Sequence, residues 1–148
     1  MYTQTLDSHI IHFLRRISVP VARISLFVVF FWFGILKAIG LSPAGPLVHA
    51  LYEQTIPFIP FATFYFSFAL FECLIGILFL IKGLERVVLP LLFLHMTTTV
   101  LPLFFLPTES WQSFLVPTLA GQYIIKNLCL VAAAIGIAAH LHPIQKKY

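Results

Sequence analysis

The chain has 148 residues, 60% of them hydrophobic and only 9% charged, where a soluble domain carries about 25% charged residues. A fold of this size cannot bury so much apolar surface in its own interior, so a soluble globular protein is excluded and the lipid bilayer is the solvent the composition requires. The formal net charge of +4 sits at helix ends and in short connections, which fits anionic lipid headgroups and excludes a nucleic-acid surface.

A helix that crosses a bilayer needs about 20 mostly apolar residues, because about 30 Å of hydrocarbon is climbed at 1.5 Å per residue. The chain opens with a different pattern. Over residues 8–18, Ile10, Ile11, Phe13, Leu14 and Ile17 are set against His9, His12, Arg15 and Arg16. That spacing predicts an amphipathic helix lying in the membrane interface. The first span is expected over residues 19–39. It is too long for a signal peptide and no small-x-small cleavage site follows it. Gly34 and Ala38 form a small-xxx-small pair that marks a packing face.

A second interfacial helix is expected near residues 46–56, where Leu47, Val48, Leu51 and Ile56 oppose His49, Glu53 and Gln54. Pro43 and Pro46 before it, and Pro57 and Pro60 after it, fix its limits because proline cannot continue a helix. The second span covers residues 61–81 and the third 87–106. Pro90 and Pro102 lie in the third and remove backbone bonds, so a bend is expected there, with Thr97, Thr98 and Thr99 offering hydroxyls in compensation. Trp111 reads as an interfacial anchor. The fourth span covers residues 118–139 and ends in a run of small residues, Ala132 to Ala134, Gly136, Ala138 and Ala139, expected to face a neighbouring helix. The connections are short, so neighbouring spans should be antiparallel. The expected fold is all-α: one membrane domain over residues 1–148, an integral four-helix bundle with short interfacial amphipathic helices.

The charges alternate between the connections. Arg15, Arg16 and Arg23 precede or open the first span, Lys82 and Arg86 lie between the second and third, and Lys146 and Lys147 follow the fourth. Residues 40–60 and 107–117 hold no Lys or Arg, and carry Glu53 and Glu109 instead. Because Lys and Arg mark cytoplasmic segments, both termini and the 82–86 turn are expected in the cytoplasm.

The informative residues are the polar ones at membrane depth, since a charge at the bilayer centre costs about 3 kcal/mol or more. Glu72, His95, Lys126 and Asn127 fall deep in their spans. At 1.5 Å per residue, Glu72 and His95 lie near the midplane and Lys126 about 4 Å to the outer side. Arg23 falls about 9 Å to the inner side and Lys37 about 12 Å to the outer side. Lys37 stands against the charge bias, which suggests an inward-facing partner. Two readings follow. In one, Glu72 pairs with Lys126 or Arg23 and locks the bundle, while His95 and Asn127 add hydrogen bonds. In the other, these residues line a polar pocket for a guest such as a quinone headgroup, or a proton path. The excess of cations favours an acceptor-rich or anionic guest. Cys73 and Cys129 lie in apolar runs without a Cys-x-x-Cys or metal-ligand spacing and read as packing thiols. The sequence offers no nucleophile triad, phosphate loop or metal cluster, so no catalytic residue and no metal ligand is assigned.

Six stretches carry a family resemblance: 23–26 (RISL), 31–37 (FWFGILK), 71–78 (FECLIGIL), 97–103 (TTTVLPL), 107–111 (PTESW) and 119–128 (LAGQYIIKNL). Together they resemble the DoxX-like superfamily of four-helix membrane proteins over about residues 16–139, and are most similar to its YkgB-type branch of reactive-chlorine-resistance proteins. The connection between the first two spans is shorter than is usual in that branch. Asn127 stands where Asp is frequent, which removes a carboxylate partner for Lys126. The resemblance implies a bacterial inner-membrane protein. Some relatives are membrane subunits of quinone-linked or thiol-linked oxidoreductase systems, so a quinone as cofactor and a redox partner protein are what the family implies. Three functions are therefore expected in competition: a quinone-binding or redox-subunit role in stress response, a small-solute or proton transporter acting as a homodimer, and a structural assembly subunit without ligand.

Overall fold

A computed structural model of the chain describes residues 2–141, with side chains from Leu6 onward; Lys146 and Lys147 lie outside the described residues. Helix α1 spans Tyr2–Ala38, α2 Gly45–Thr55 and α3 Phe61–Leu80. Helix α4 spans Glu85–Val100, and two single turns follow, α5 Pro102–Phe105 and α6 Pro107–Ser110. A two-stranded antiparallel hairpin, β1 Trp111–Ser113 and β2 Val116–Pro117, leads into α7 Leu119–Lys126 and α8 Leu128–Ala138. Four helical stretches are long and apolar enough to cross a membrane: Leu6–Ala38, Phe61–Leu80, Glu85–Phe105 and Leu119–Ala138. The protein is an all-α, multi-pass membrane bundle.

Residues 8–18 are helical, as their amphipathic pattern requires, but no break separates them from the first span. Helix α1 runs on through Pro20. Pro20 lacks the amide that would bond the Arg16 carbonyl, yet no glycine or polar turn sequence flanks it, and Ile17 to Ala22 continue the helix on both sides. The 37 residues of α1 measure about 55 Å, well beyond the hydrocarbon thickness.

Helix α1 packs along α3 and against α8, and α4 packs against α3 and α8, which closes the four spans into a ring. The core between them holds Leu26, Phe30, Ile75, Phe79, Val88, Leu92, Met96, Ala134 and Ile137. The closest approach is between α1 and α3, where glycine makes the room. A Cβ at Gly34 would lie 2.6 Å from the Cys73 Sγ and 2.9 Å from the Ala69 carbonyl oxygen. A Cβ at Gly76 would lie 2.8 Å from the Phe31 amide nitrogen. Between helices in lipid there is no hydrophobic drive, so close van der Waals contact of small residues has to supply the association. The small residues of α8 behave unevenly. Ala134 is buried in the core, but a Cβ at Gly136 would meet nothing within 4 Å.

The third span is interrupted at Leu101, where α4 ends and α5 begins at Pro102; Pro90 lies within α4 without ending it. The threonine hydroxyls bond back within their own turns. Thr98 and Thr99 both donate to the His95 carbonyl, at 2.7 and 3.0 Å, and Thr97 donates to the Phe93 carbonyl at 2.9 Å. The carbonyls beyond the break are met from the following segment instead: Ser110 Oγ donates to Pro102 O and Trp111 Nε1 to Leu103 O, each at 2.9 Å. The tip of the hairpin leaves Phe114 90% exposed. Thr118 caps α7 by accepting the Gly121 amide at 3.1 Å, and Gly121 lies so close to the Ser110 carbonyl that no side chain fits.

A buried Lys37–Glu72–His95 centre as the candidate functional site

Three spans each contribute one polar side chain to a single point. Lys37 is in the last turn of α1, Glu72 is in the middle of α3, and His95 is in α4. Side chains on a helix lean toward its N-terminus. Helices α1 and α3 are antiparallel, so Lys37 leans back along the bundle while Glu72 leans toward it. That opposing tilt lets the pair meet although Lys37 starts nearer one end.

The Glu72 carboxylate is divided between two partners. Lys37 Nζ lies 2.6 Å from Glu72 Oε2 and His95 Nε2 lies 3.2 Å from Glu72 Oε1. The side chains of Lys37, Glu72 and His95 are 8%, 7% and 3% exposed. Three phenylalanine rings surround the imidazole. Phe68 stacks on it at 5.0 Å between centroids, Phe30 meets it edge-on at 5.5 Å, and Phe71 lies at 6.0 Å. Lys37 Nζ is also 6.0 Å from the centre of the Phe68 ring, at the limit of a cation–π contact. In so apolar a setting the carboxylate is what makes the Lys37 ammonium tolerable, because an unpaired charge here would meet no water.

One atom is left over. His95 Nδ1 is fully buried and has no hydrogen-bond partner among the described residues. Buried polar atoms are nearly always paired, and leaving one without a partner costs about 1–3 kcal/mol. The same residue's carbonyl is oversupplied, with the hydroxyls of Thr98 and Thr99 both on it. The backbone at His95 is thereby held firmly while its ring keeps one free nitrogen.

The other candidates lie elsewhere. Arg23 does not reach Glu72. Its guanidinium donates to the Phe79 carbonyl at 3.0 Å and pairs with Glu85. Lys126 does not reach Glu72 either. Ile124 faces the core and is buried, and two residues further on the helix has turned about 200°, which carries Lys126 to the outer face. There it is exposed, with its Nζ 5.4 Å from the centre of the Tyr123 ring. The pairing of Glu72 with Lys126 or Arg23 is thus replaced by pairing with Lys37 and His95. Asn127 is half-buried at the junction of α7 and α8, where its amide bonds the Ile124 carbonyl at 3.1 Å. Cys129 is exposed, while Cys73 is buried at the α1–α3 contact, 3.8 Å from the Phe31 carbonyl.

Glu85 is the residue that reading the sequence passed over. It lies inside the basic 82–86 turn and is masked there by Lys82 and Arg86. Its signal was its register: it opens a span at the same end of the bundle at which Arg23 enters one. Among the described residues no group of three or more His, Cys, Asp or Glu side chains is placed to hold a metal ion. Comparison of the chain with family models, curated proteins and solved structures finds no match.

Proposed function

We propose that this chain is a DoxX-like protein of the bacterial inner membrane, with both termini cytoplasmic, whose Lys37–Glu72–His95 centre receives the headgroup of a quinone-like lipophilic molecule in a redox or stress-response system. The observation that carries the reading is the unpartnered His95 Nδ1. A centre that served only to lock helices would gain by satisfying every polar atom, because lipid offers no water to do it. With Nε2 donating to Glu72, Nδ1 is the acceptor of the ring, and a guest hydroxyl such as that of the reduced quinol would complete the set. Phe30, Phe68 and Phe71 add flat apolar faces suited to an aromatic ring. The bilayer dissolves such molecules and delivers them at this depth. The orientation rests on Arg15, Arg16, Lys82 and Arg86 all lying at one end of the bundle. In such a system a redox partner protein would dock on the membrane surface, and a homodimer would bring two centres together.

The test is equilibrium binding of a short-chain ubiquinone analogue, in its reduced quinol form, to protein in liposomes. Losing one buried hydrogen bond should weaken binding about tenfold in His95→Phe, at about 1.4 kcal/mol per factor of ten. Lys126→Met, on the outer face, should bind as the parent does. Equal affinity in His95→Phe and the parent would remove the site from consideration.

A second reading has its own observation. The 2.6 Å contact of Lys37 with Glu72 is a closed ion pair, which suits a structural lock in an assembly subunit. Under that reading, the exchange Lys37→Glu with Glu72→Lys recovers the thermal stability lost in either single variant, and no quinone analogue binds.

A further inference from the structure

At the basic end of the bundle a groove of about 500 Å³ opens beside the Arg23–Glu85 bridge. Its walls are apolar: Ile24 of α1, Leu80 at the end of α3 and Ile137 near the end of α8. Its rim is polar, with Arg23, Lys82 and His140 supplied by three separate parts of the chain. The groove is distinct from the buried centre. The Phe79 carbonyl that Arg23 holds lies seven residues along α3 from Glu72, about 11 Å away.

The rim charges are unequal. Arg23 is balanced by Glu85. Lys82 is exposed and has no carboxylate partner among the described residues. His140 donates from Nδ1 to the Gly136 carbonyl at 2.8 Å, which leaves Nε2 to accept from a headgroup hydroxyl. An anion is therefore attracted to the Lys82 side and kept from the depth of the groove by Glu85. A soluble anion would use the cations and gain nothing from the apolar walls. A molecule with a phosphate and a hydrocarbon chain uses both. The groove also lies where α3 ends and α4 begins, the level at which hydrocarbon gives way to headgroups.

We infer that this groove binds an acidic phospholipid of the adjacent leaflet. Its phosphate sits beside Lys82, against the edge of Arg23, a headgroup hydroxyl donates to His140, and one acyl chain lies along Ile24 and Ile137. The site would fix a lipid across the seam between the first and last spans.

The experiment is native mass spectrometry of the detergent-solubilised protein titrated with phosphatidylglycerol or phosphatidylcholine. A basic residue near a membrane surface contributes about 1 kcal/mol toward anionic lipid, or about fivefold in affinity. The parent should accordingly retain phosphatidylglycerol at least about fivefold more tightly than phosphatidylcholine. The double variant Lys82→Gln, His140→Gln should lose that preference. Ile24→Trp, which narrows the groove and leaves the charges intact, should lower retention of both lipids, and Lys126→Gln should change neither. Equal retention of the two lipids by the parent, a measurement that needs no variant to fold, would overturn the proposal. So would an unchanged preference in the double variant. Displacement of phosphatidylglycerol by inorganic phosphate at equal concentration would assign the rim to a soluble anion and overturn the lipid assignment.

Discussion

Glu72 supports two nitrogen groups with one charge, so its removal should be felt at both. In Glu72→Gln the Lys37 ammonium stays buried without a counter-ion, and breaking a buried pair from one side costs about 3–5 kcal/mol. In Lys37→Met the carboxylate still has His95 Nε2, so the loss should be smaller. In the double variant Lys37→Met, Glu72→Met no charge remains to be compensated, and much of the stability should return. Unfolding in mixed micelles measures the order. If Lys37→Met proves as damaging as Glu72→Gln, His95 does not share the carboxylate as the geometry implies. The two lysines show what depth alone conveys. Lys37 stands at the outer end of its span against the charge bias, and that conflict already pointed it toward a partner. Lys126 stands near mid-depth, but the side of the helix it occupies depends on where Ile124 and Gly121 pack. No one-dimensional depth estimate contains that angle.

At the level of helices, the α1–α3 contact should be the least tolerant of added volume. Gly76→Ala would place a Cβ 2.8 Å from the Phe31 backbone nitrogen, and backbone cannot swing aside as a side chain can. Separating the helices to relieve the clash should cost about 1–3 kcal/mol. Gly136→Ala adds the same methyl where nothing lies within 4 Å, and alanine's higher helix propensity should leave stability unchanged or raise it by up to about 1 kcal/mol. Thermal melts of the two variants in one detergent provide the comparison. A Gly76→Ala protein as stable as the parent would show that the two helices are not held at the closest distance. The four spans were legible because apolar runs of 20 residues have few alternatives. The packing role of Gly34 was legible too, from its place in a small-xxx-small pair. The continuity of the helix across residue 19 was not legible. An amphipathic stretch joined to a span predicts helix on both sides of the joint, and a lone proline can either bend a helix or be carried within it. The hairpin at Trp111 was not legible either, because its two strands of three and two residues are too short to show a period of two.

For the whole molecule, four spans make an even number, so the start of α1 and the end of α8 must emerge on one side. The α3–α4 turn at Lys82 belongs to that side, and α2 with Glu53 and the α6 turn with Glu109 belong to the other. In a cysteine-free background, Cys73→Ala with Cys129→Ser, single cysteines at Ser8 and Lys82 should react with a membrane-impermeant maleimide from the same face of oriented vesicles. Cysteines at Glu53 and Thr108 should react only from the opposite face. Labelling of Ser8 and Lys82 from different faces would mean that one of the four helices lies on the bilayer and does not cross it. Helix α1 extends the same measurement. Its 37 residues exceed the roughly 20 that the hydrocarbon can hold, and among the described residues its side chains packed on the apolar core begin at Val19. The excess must therefore lie at the N-terminal end, where Ile10, Phe13 and Leu14 are exposed to whatever surrounds them. If α1 stays straight, cysteines at positions 10, 13 and 14 should all label, because the helix stands clear of the lipid. If the chain instead bends at Pro20, the helix settles onto the interface with these apolar residues inward. Positions 10, 13 and 14 should then be protected while positions 12, 15 and 16 label. A stepwise scan from residue 8 to residue 22 separates the two outcomes, since a straight helix gives one boundary and an interfacial helix gives a period of 3.6.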